Sequence, residues 1–385
     1  MATKFFMPTQ LLRGAAGICF LMAMAVQVAS GGQKQAPQPI PMDLVMQTIR
    51  EYGHENQPAA AANRTANAVP ATGASDIPSE IDGAYQAYIM AAFANAYFAK
   101  LEKEARQVRI SKARLKGGAW KLFALYEGST TPIAGNRATD SDWNAHLAAI
   151  NKWIAAYPDS ATPRIALADS YVYYAWAARG QGYANTVSES GWSLFEQRIE
   201  LGKAALLEAA HVKERCPYWY EAMQRVALAQ GWEKRQAREL LDQAAAFEPS
   251  YYHFYREYAN FLLPKWYGED GETQAFAEEV SKHLGDPDGQ IVYFEIASLL
   301  ACQCQTERDT LTGMSWPRVK QGYVELQRLY STSNLKMNRF AYMSFVAGDK
   351  SSARDSFSQL GDSWNGLVWR SAQNFASAKE WSATP

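Results

Sequence analysis

The segments "CPYWYEAMQRVALAQ" (216–230) and "EPSYYHFYREYANFL" (248–262) indicate a repeat architecture, because the second repeats the pattern of the first after 32 residues. In each copy a proline precedes two aromatic residues, and an alanine follows about two helical turns later. The matched pairs are Pro217 with Pro249, Trp219 with Tyr251, Tyr220 with Tyr252, and Ala227 with Ala259. Self-similarity at a fixed period of this size is typical of architectures built by stacking one supersecondary unit.

The stretch between the two copies supplies the second half of a repeat unit. Ala237, Leu241 and Ala244 recur at helical spacing, and Pro249 ends the unit. Small residues let two helices approach closely, and the large residue fills the gap between them. The offset is close to the roughly 34 residues of a tetratricopeptide repeat, which is a helix–turn–helix unit.

A third match lies near the C-terminus and indicates the same architecture. In "NRFAYMSFVAGDKSSARDSF" (338–357), Gly348 and Asp349 form the predicted turn, and Ala353 and Phe357 lie on the second helix. No alternating strand pattern occurs, so the predicted class is all-α, a tetratricopeptide-like α-solenoid of antiparallel helix pairs. Helices are predicted near 191–214, 218–231, 233–247, 251–263, 272–284, 289–304, 316–330, 335–347 and 350–359.

The region before these repeats also has a helical pattern. A single helix is predicted over 84–109, which has few helix breakers, and a second one includes 118–128. A further helix is expected to start with Thr162 as its N-cap and Pro163 at the first helical position, and to end at Gly180.

The first 30 residues have the pattern of an export signal. Lys4 and Arg13 are the only charges before the apolar run 15–26, and small residues favour cleavage near Ser30. A retained membrane anchor is the alternative, but the run is short for a span of roughly 20 residues. We therefore expect cleavage, a mature chain without a transmembrane domain, and a periplasmic or secreted location.

The chain is predicted to divide into four segments. Residues 57–80 are rich in Ala, Pro, Asn and Ser and contain almost no large apolar residue, which favours a flexible linker. Before them, 43–53 has the spacing of a short amphipathic helix. The predicted segments are a signal peptide (1–30), a linker containing that helix (31–80), the helical-repeat domain (81–370) and a C-terminal tail (371–385).

Three cysteines remain once Cys19 leaves with the signal: Cys216, Cys302 and Cys304. An oxidising compartment would permit a disulfide between Cys216 and either member of the pair, and the sequence does not choose between them. The "CQC" spacing differs from C-x-x-C and has no nearby histidine, which favours ordinary buried residues over a metal or redox site.

The overall charge and the histidine spacing exclude several function classes. The chain has 38 Lys and Arg against 39 Asp and Glu, so it lacks the basic excess typical of nucleic-acid binding. No two of its five histidines lie three or four residues apart, so no helical metal pair exists. No nucleophile elbow or phosphate-binding loop occurs either. We therefore expect no metal, no cofactor and no catalytic residue.

A more specific resemblance comes from several motifs that occur in a fixed order. They are "GAWKLFALYEG" (118–128), "AWAARGQGYA" (175–184), Trp192 with Phe195 and Arg198, "ALAQGW" (227–232) and "LLPKWYGEDGE" (262–272). Over roughly residues 81–370 the chain resembles a bacterial tetratricopeptide-like family known as domain of unknown function 4034. The resemblance implies a helical-repeat fold and implies no activity.

Two functions fit these patterns. The first is a non-catalytic scaffold of the bacterial cell envelope, whose repeat surface binds a protein or peptide partner. The second is an enzyme or binding protein for envelope carbohydrate, with Trp and Tyr as stacking platforms and two carboxylates flanking a sugar. Glu269, Asp270 and Glu272 are candidates for those carboxylates, although they could equally favour the start of the following helix. The scaffold is the favoured hypothesis.

Candidate binding residues for the scaffold are polar and aromatic side chains on the predicted helices and loops. Core packing is the alternative for Trp176 and Tyr255, which recur at helical spacing, while Arg179 and Arg256 could cap helix ends or pair with nearby glutamates. The candidate set is Trp176, Arg179, Tyr183, Trp232, Tyr255, Arg256, Lys265 and Trp266.

The loop around Trp266 is unusually long for a repeat hairpin, so something must hold it. Pro264 ends the preceding helix, and Gly268 and Gly271 permit tight turns. Burying one tryptophan stabilises by roughly 2–3 kcal/mol. We therefore expect Trp266 to be mostly buried, Tyr267 to be more exposed, and Trp266→Ala to destabilise by about 3 kcal/mol or more.

Overall fold

The computed structural model describes residues 38–54, 83–180, 184–303 and 311–384. All helices of these ranges belong to one compact unit, Pro39–Pro385. The predicted signal peptide, the linker residues 57–80 and Cys304 lie outside the described residues, as does the side chain of Cys302.

Within those ranges the chain forms seventeen α-helices and no strand, which confirms the all-α prediction. The helices are α1 (Met42–His54), α2 (Gly83–Ala94), α3 (Phe98–Ser111), α4 (Lys121–Ser129), α5 (Asp140–Ala156), α6 (Ala161–Arg179), α7 (Glu189–Ala210), α8 (Pro217–Gln230), α9 (Lys234–Phe247), α10 (His253–Phe261), α11 (Glu272–Leu284), α12 (Asp288–Gln303), α13 (Trp316–Tyr330), α14 (Asn334–Val346), α15 (Lys350–Leu360), α16 (Gly366–Trp369) and α17 (Ala372–Ala383).

Neighbouring helices pack in pairs, and alternate helices pack in a row. α6 packs along α7, α12 along α13, and α14 along α15. In addition α6 contacts α8, α8 contacts α10, α10 contacts α12, and α12 contacts α14. This arrangement is a tetratricopeptide-like solenoid, in which each unit buries its apolar face against the next. We call α6, α8, α10, α12 and α14 the even row.

The aromatic positions that define the repeat are core positions. Trp219 and Tyr251 are both fully buried, and so are the small residues Ala227 and Ala259. Trp219 lies inside α8, whereas Tyr251 precedes the first residue of α10. The two copies therefore share their packing but differ in where the helix begins.

Two predicted features of the early helices are wrong. The single helix predicted over 84–109 is broken after Ala94, where Asn95 donates from Nδ2 to the Ala91 carbonyl at 2.8 Å and Ala96 has a φ of +54°. A side chain that bonds the preceding turn competes with helix continuation. The N-cap of α6 is Ser160, whose hydroxyl accepts from the Thr162 amide, so Thr162 lies within the first turn.

Helix α1 packs against α9 and α7, and one of its rings also reaches α8. Tyr52 is fully buried, and its ring stacks on Trp219 with centroids 4.1 Å apart. Its hydroxyl accepts from the Cys216 amide at 2.9 Å. Among the described residues, Cys216 is buried and has no disulfide partner. The segment 43–53, predicted to contain a short helix, thus forms α1 and packs on the repeats.

The packed helices continue beyond residue 370, because the segment assigned to a C-terminal tail contains α17. Phe375 and Ala378 of α17 are buried in a small core that also includes Phe357 of α15 and Trp369 of α16. The turn predicted at Gly348 and Asp349 precedes α15, and the Asp349 side chain accepts from the Ser352 amide as its N-cap.

Candidate functional site

Helix α4 lies across the N-terminal ends of two helices of the even row. Its buried face is apolar, with Leu122, Leu125 and Tyr126 fully buried. Two of its rings and that of Trp120, the residue before it, contact rings at or just before the starts of α8 and α10. The pairs are Trp120 with Tyr251 at 5.0 Å, Phe123 with His253 at 4.2 Å, and Tyr126 with Tyr218 at 4.0 Å. The N-terminal ends of α8 and α10 are therefore covered by α4.

Half-buried side chains of α4 and of its neighbours line the same side of the row. Tyr173 donates to Glu127 of α4, and Trp176 lies one helical turn further along α6. Glu257 lies one turn beyond His253 on α10, and Trp266 contacts Trp176 edge to face with centroids 5.8 Å apart. All five of Glu127, Tyr173, Trp176, Glu257 and Trp266 are half-buried. We call this set the open face.

A cluster of charges adjoins the open face and shares Glu127 with it. The Arg225 guanidinium contacts Asp169 at 2.8 and 3.0 Å, Glu221 at 2.7 Å and Glu127 at 3.7 Å. Asp169 and Glu221 have no exposed side-chain surface. We call Glu127, Asp169, Glu221 and Arg225 the arginine cluster; it ties α4, α6 and α8 together around one cation.

Each carboxylate of the arginine cluster also accepts a hydrogen bond from a tyrosine. The three donors are the hydroxyls of Tyr173 to Glu127, Tyr218 to Asp169 and Tyr251 to Glu221, each at 2.6 Å. Buried charged groups are stable only when paired and hydrogen-bonded. Since all three carboxylates have both kinds of partner, the cluster fixes the relative positions of its helices.

Burial raises the pKa of two carboxyls of this cluster. It raises the pKa of Glu221 to about 8, because the desolvation penalty on the charged form exceeds the attraction of Arg225. It also raises the pKa of Glu127, again against the attraction of Arg225. Glu257 raises both values further through like-charge repulsion.

Four of the predicted binding residues come together at one end of the open face. The Arg179 guanidinium lies 5.4 Å from the ring centroids of both Trp176 and Trp192. The Lys265 ammonium lies 5.7 Å from the ring of Trp266, which in turn contacts Trp176. Aromatic rings attract cations at these distances, so Trp176, Arg179, Lys265 and Trp266 form one aromatic–cation patch.

The other four predicted residues do not join this patch. Trp232 is buried and donates to Gln230 at 3.0 Å, and Tyr255 is buried and donates to the Pro249 carbonyl at 3.0 Å. Both are core residues. Arg256 is half-buried on α10, and its Nε has no hydrogen-bond acceptor within the described part of the chain. Tyr183 lies outside the described residues.

The loop after α10 is held by both of its aromatic residues. Trp266 and Tyr267 are each half-buried, so the expected contrast between a buried Trp266 and a more exposed Tyr267 is absent. Tyr267 donates to the Leu228 carbonyl at 2.9 Å, and its ring lies 4.9 Å from Phe261. The tyrosine hydroxyl thus anchors the loop to α8, a contact that no local sequence pattern predicts.

Because Trp266 is only half-buried, we expect Trp266→Ala to lower the free energy of unfolding by about 2 kcal/mol, less than for a fully buried ring. The companion variant Tyr267→Phe removes one hydrogen bond and should cost about 1 kcal/mol. Urea denaturation measures both values. An unchanged stability for Trp266→Ala would show that this ring does not hold the loop.

The acidic residues of the same loop have a structural role at Glu272, the first residue of α11. Its carboxylate accepts from the Glu269 amide at 2.8 Å and from Lys234 at 2.7 Å. Partial burial raises the pKa of Glu272, but the hydrogen bonds from Lys234 and the Glu269 amide outweigh it, so the pKa lies below its ordinary value. Glu269 and Asp270 are exposed. These contacts match the helix-start interpretation.

The arginine cluster contains residues that sequence reasoning missed. Asp169 could have indicated a buried charge, because it interrupts the apolar face of "IALADSYVYY" (165–174). Glu221 and Arg225 are spaced i, i+4 on α8, which is the spacing of a helical ion pair. Neither signal reveals that the two helices and α4 converge on one guanidinium.

Within the described ranges, no group of three or more His, Cys, Asp and Glu side chains is placed to hold a metal ion. In the same ranges, no helix is both long enough and apolar enough to cross a membrane. Comparisons with protein-family models, curated proteins and solved structures gave no match to this chain.

Proposed function

We propose that this chain is an exported helical-repeat protein that binds a protein or peptide partner and acts as a non-catalytic scaffold in the bacterial cell envelope. The observation that supports it is the open face, where half-buried side chains remain beside the surface that α4 covers. Half-buried aromatic rings combine large contact area with a fixed orientation, which suits recognition. The proposal that the chain is exported rests only on the signal-like pattern of its first 30 residues.

The acids of the arginine cluster support binding better than catalysis. A general acid or base must come within hydrogen-bond reach of its substrate. Asp169 and Glu221 have no exposed side-chain surface and are occupied by Arg225 and by tyrosines. In this proposal the cluster is therefore a support beside the open face.

Envelope carbohydrate is the second candidate ligand, favoured by the half-buried pair Trp176 and Trp266. Sugar rings stack on exposed indoles, and a partner protein would use the same surface. The resemblance to domain of unknown function 4034 is compatible with either ligand and remains a prediction.

A charge reversal on the open face tests the proposal. Glu257→Lys should leave the fold intact, because it places a cation near the carboxylates of Glu127 and Glu221, whose pKa values Glu257 raises. It should also weaken partner binding at least tenfold. The matched control is Glu196→Lys on the exposed surface of α7, where Glu196 has no ion pair within the described residues.

The measurement has two steps. Wild type and both variants are used to capture partners from envelope extracts, and the captured protein is then purified and titrated calorimetrically against each form. Loss of binding in Glu257→Lys alone supports the proposal. Equal binding by all three forms contradicts it, and competition by purified envelope glycan favours the carbohydrate candidate.

A further inference from the structure

The arginine cluster has more negative charge than positive charge. Its three carboxylates, of which Asp169 and Glu221 have no exposed side-chain surface, carry three formal negative charges against the single positive charge of Arg225. Titratable groups in and around the arginine cluster come from three helices and one turn besides α4, which supplies Glu127. They are Asp169 and Tyr173 of α6, Tyr218, Glu221 and Arg225 of α8, Tyr251 of the turn before α10, and His253 and Glu257 of α10.

Such an imbalance is costly in a protein interior. An uncompensated buried charge usually becomes neutral by binding or releasing a proton. His253 is a further base at the start of α10, and its Nδ1 lies 3.9 Å from Glu221, which is too long for a hydrogen bond. Glu257 adds further negative charge from α10.

We propose that the arginine cluster is a proton-binding site, in which the folded chain holds one proton on the Glu221 carboxyl near neutral pH and releases it at alkaline pH. The 2.6 Å contact between Glu221 and the Tyr251 hydroxyl accommodates the proton, because a neutral carboxyl donates to a phenolic oxygen as readily as it accepts from one. Release leaves repelling carboxylates on α4, α6 and α8, which weakens the packing of α4 over the even row. This inference does not depend on the proposed partner binding.

The direction of the pH effect follows from linkage. The folded pKa of Glu221 is about 8, above the roughly 4.3 of an unfolded glutamate. Between these values the folded chain binds one proton more than the unfolded chain, so stability falls as pH rises. One proton corresponds to at most a tenfold change in the unfolding equilibrium constant per pH unit.

Infrared difference spectroscopy detects the proton directly. Full-length protein titrated from pH 6 to pH 10 should lose the carbonyl band of one buried neutral carboxyl. Glu221→Gln should lack that band, and Glu278→Gln, which alters a half-exposed carboxylate on α11, should keep it. Absence of the band in wild type at pH 6 overturns the proposal, and its persistence in Glu221→Gln overturns the assignment to Glu221.

Hydrogen exchange and chemical denaturation test the consequence for α4. In wild type, amide protection of residues 121–129 should fall between pH 7 and pH 9 once intrinsic exchange rates are corrected. The same change should be absent in Glu221→Gln. The unfolding equilibrium constant of this variant should change less with pH than that of wild type, by up to tenfold for each pH unit. Identical pH profiles for the two proteins would overturn the link between the proton and α4. If Glu221→Gln does not fold, the wild-type infrared titration still decides.

Discussion

Replacing Arg225 by methionine is expected to lower the free energy of unfolding at pH 7 by roughly 3–5 kcal/mol, because it leaves buried carboxylates without a countercharge. Asp169 and Glu221 have no exposed side-chain surface, so water cannot replace the guanidinium. Methionine keeps most of the side-chain volume, which separates loss of charge from loss of packing. Urea denaturation measures the change.

The matched control is Arg238→Met. Arg238 also contacts two carboxylates, Asp242 and Glu279, but its side chain is 40% exposed. Exposed ion pairs contribute about 0–1 kcal/mol, so this variant should be nearly as stable as wild type. Equal small losses in the two variants would show that the arginine cluster does not hold its helices together.

Trp219→Ala is the second change for which we expect a loss of about 3–5 kcal/mol. The ring is fully buried, its Nε1 donates to the Leu206 carbonyl at 2.7 Å, and its face stacks on Tyr52 of α1. Removing it opens a cavity in α8 and also removes the platform for α1. Hydrogen exchange should therefore show faster exchange in α1 as well as lower global stability.

Two further variants distinguish the effect of the aromatic stack on α1 from that of its exposed ion pair. Trp219→Phe keeps an aromatic ring against Tyr52 and should cost less than the alanine variant. Arg50→Gln breaks only the exposed ion pair between α1 and Glu239 of α9 and should change stability by about 0–1 kcal/mol. If exchange in α1 is unchanged in Trp219→Ala, the aromatic stack does not dock this helix.

Much of the fold could be predicted because the packing of a helical repeat depends on residues that are close in the sequence. Proline and glycine mark the helix ends, as at Pro217, the first residue of α8, and Gly231, which closes it with a φ of +65°. The spacing of small and aromatic residues identifies the buried positions, and both Trp219 and Tyr251 are fully buried. Such signals lie within one helix or between adjacent helices.

The candidate site was harder to predict because its contacts join distant parts of the chain. Glu127 and Arg225 are 98 residues apart, and no periodicity in either helix indicates that they meet. The crossing of α4 over α8 and α10 depends on ring contacts such as Phe123 with His253, which pattern reasoning does not reach. The aromatic–cation patch was partly predicted, because Trp176 and Trp266 are unusual residues for a helix end and a loop.

Site-specific photo-crosslinking shows whether a partner binds the open face. A crosslinking residue is placed at Asn260, half-buried one turn beyond Glu257 on α10, or at Glu196 on the exposed surface of α7. Both full-length proteins are irradiated with envelope extract, and the adducts are identified by mass spectrometry. We expect a specific adduct from position 260 that is absent from position 196. Adducts from position 196 alone, or equal adducts from both positions, would contradict binding at the open face.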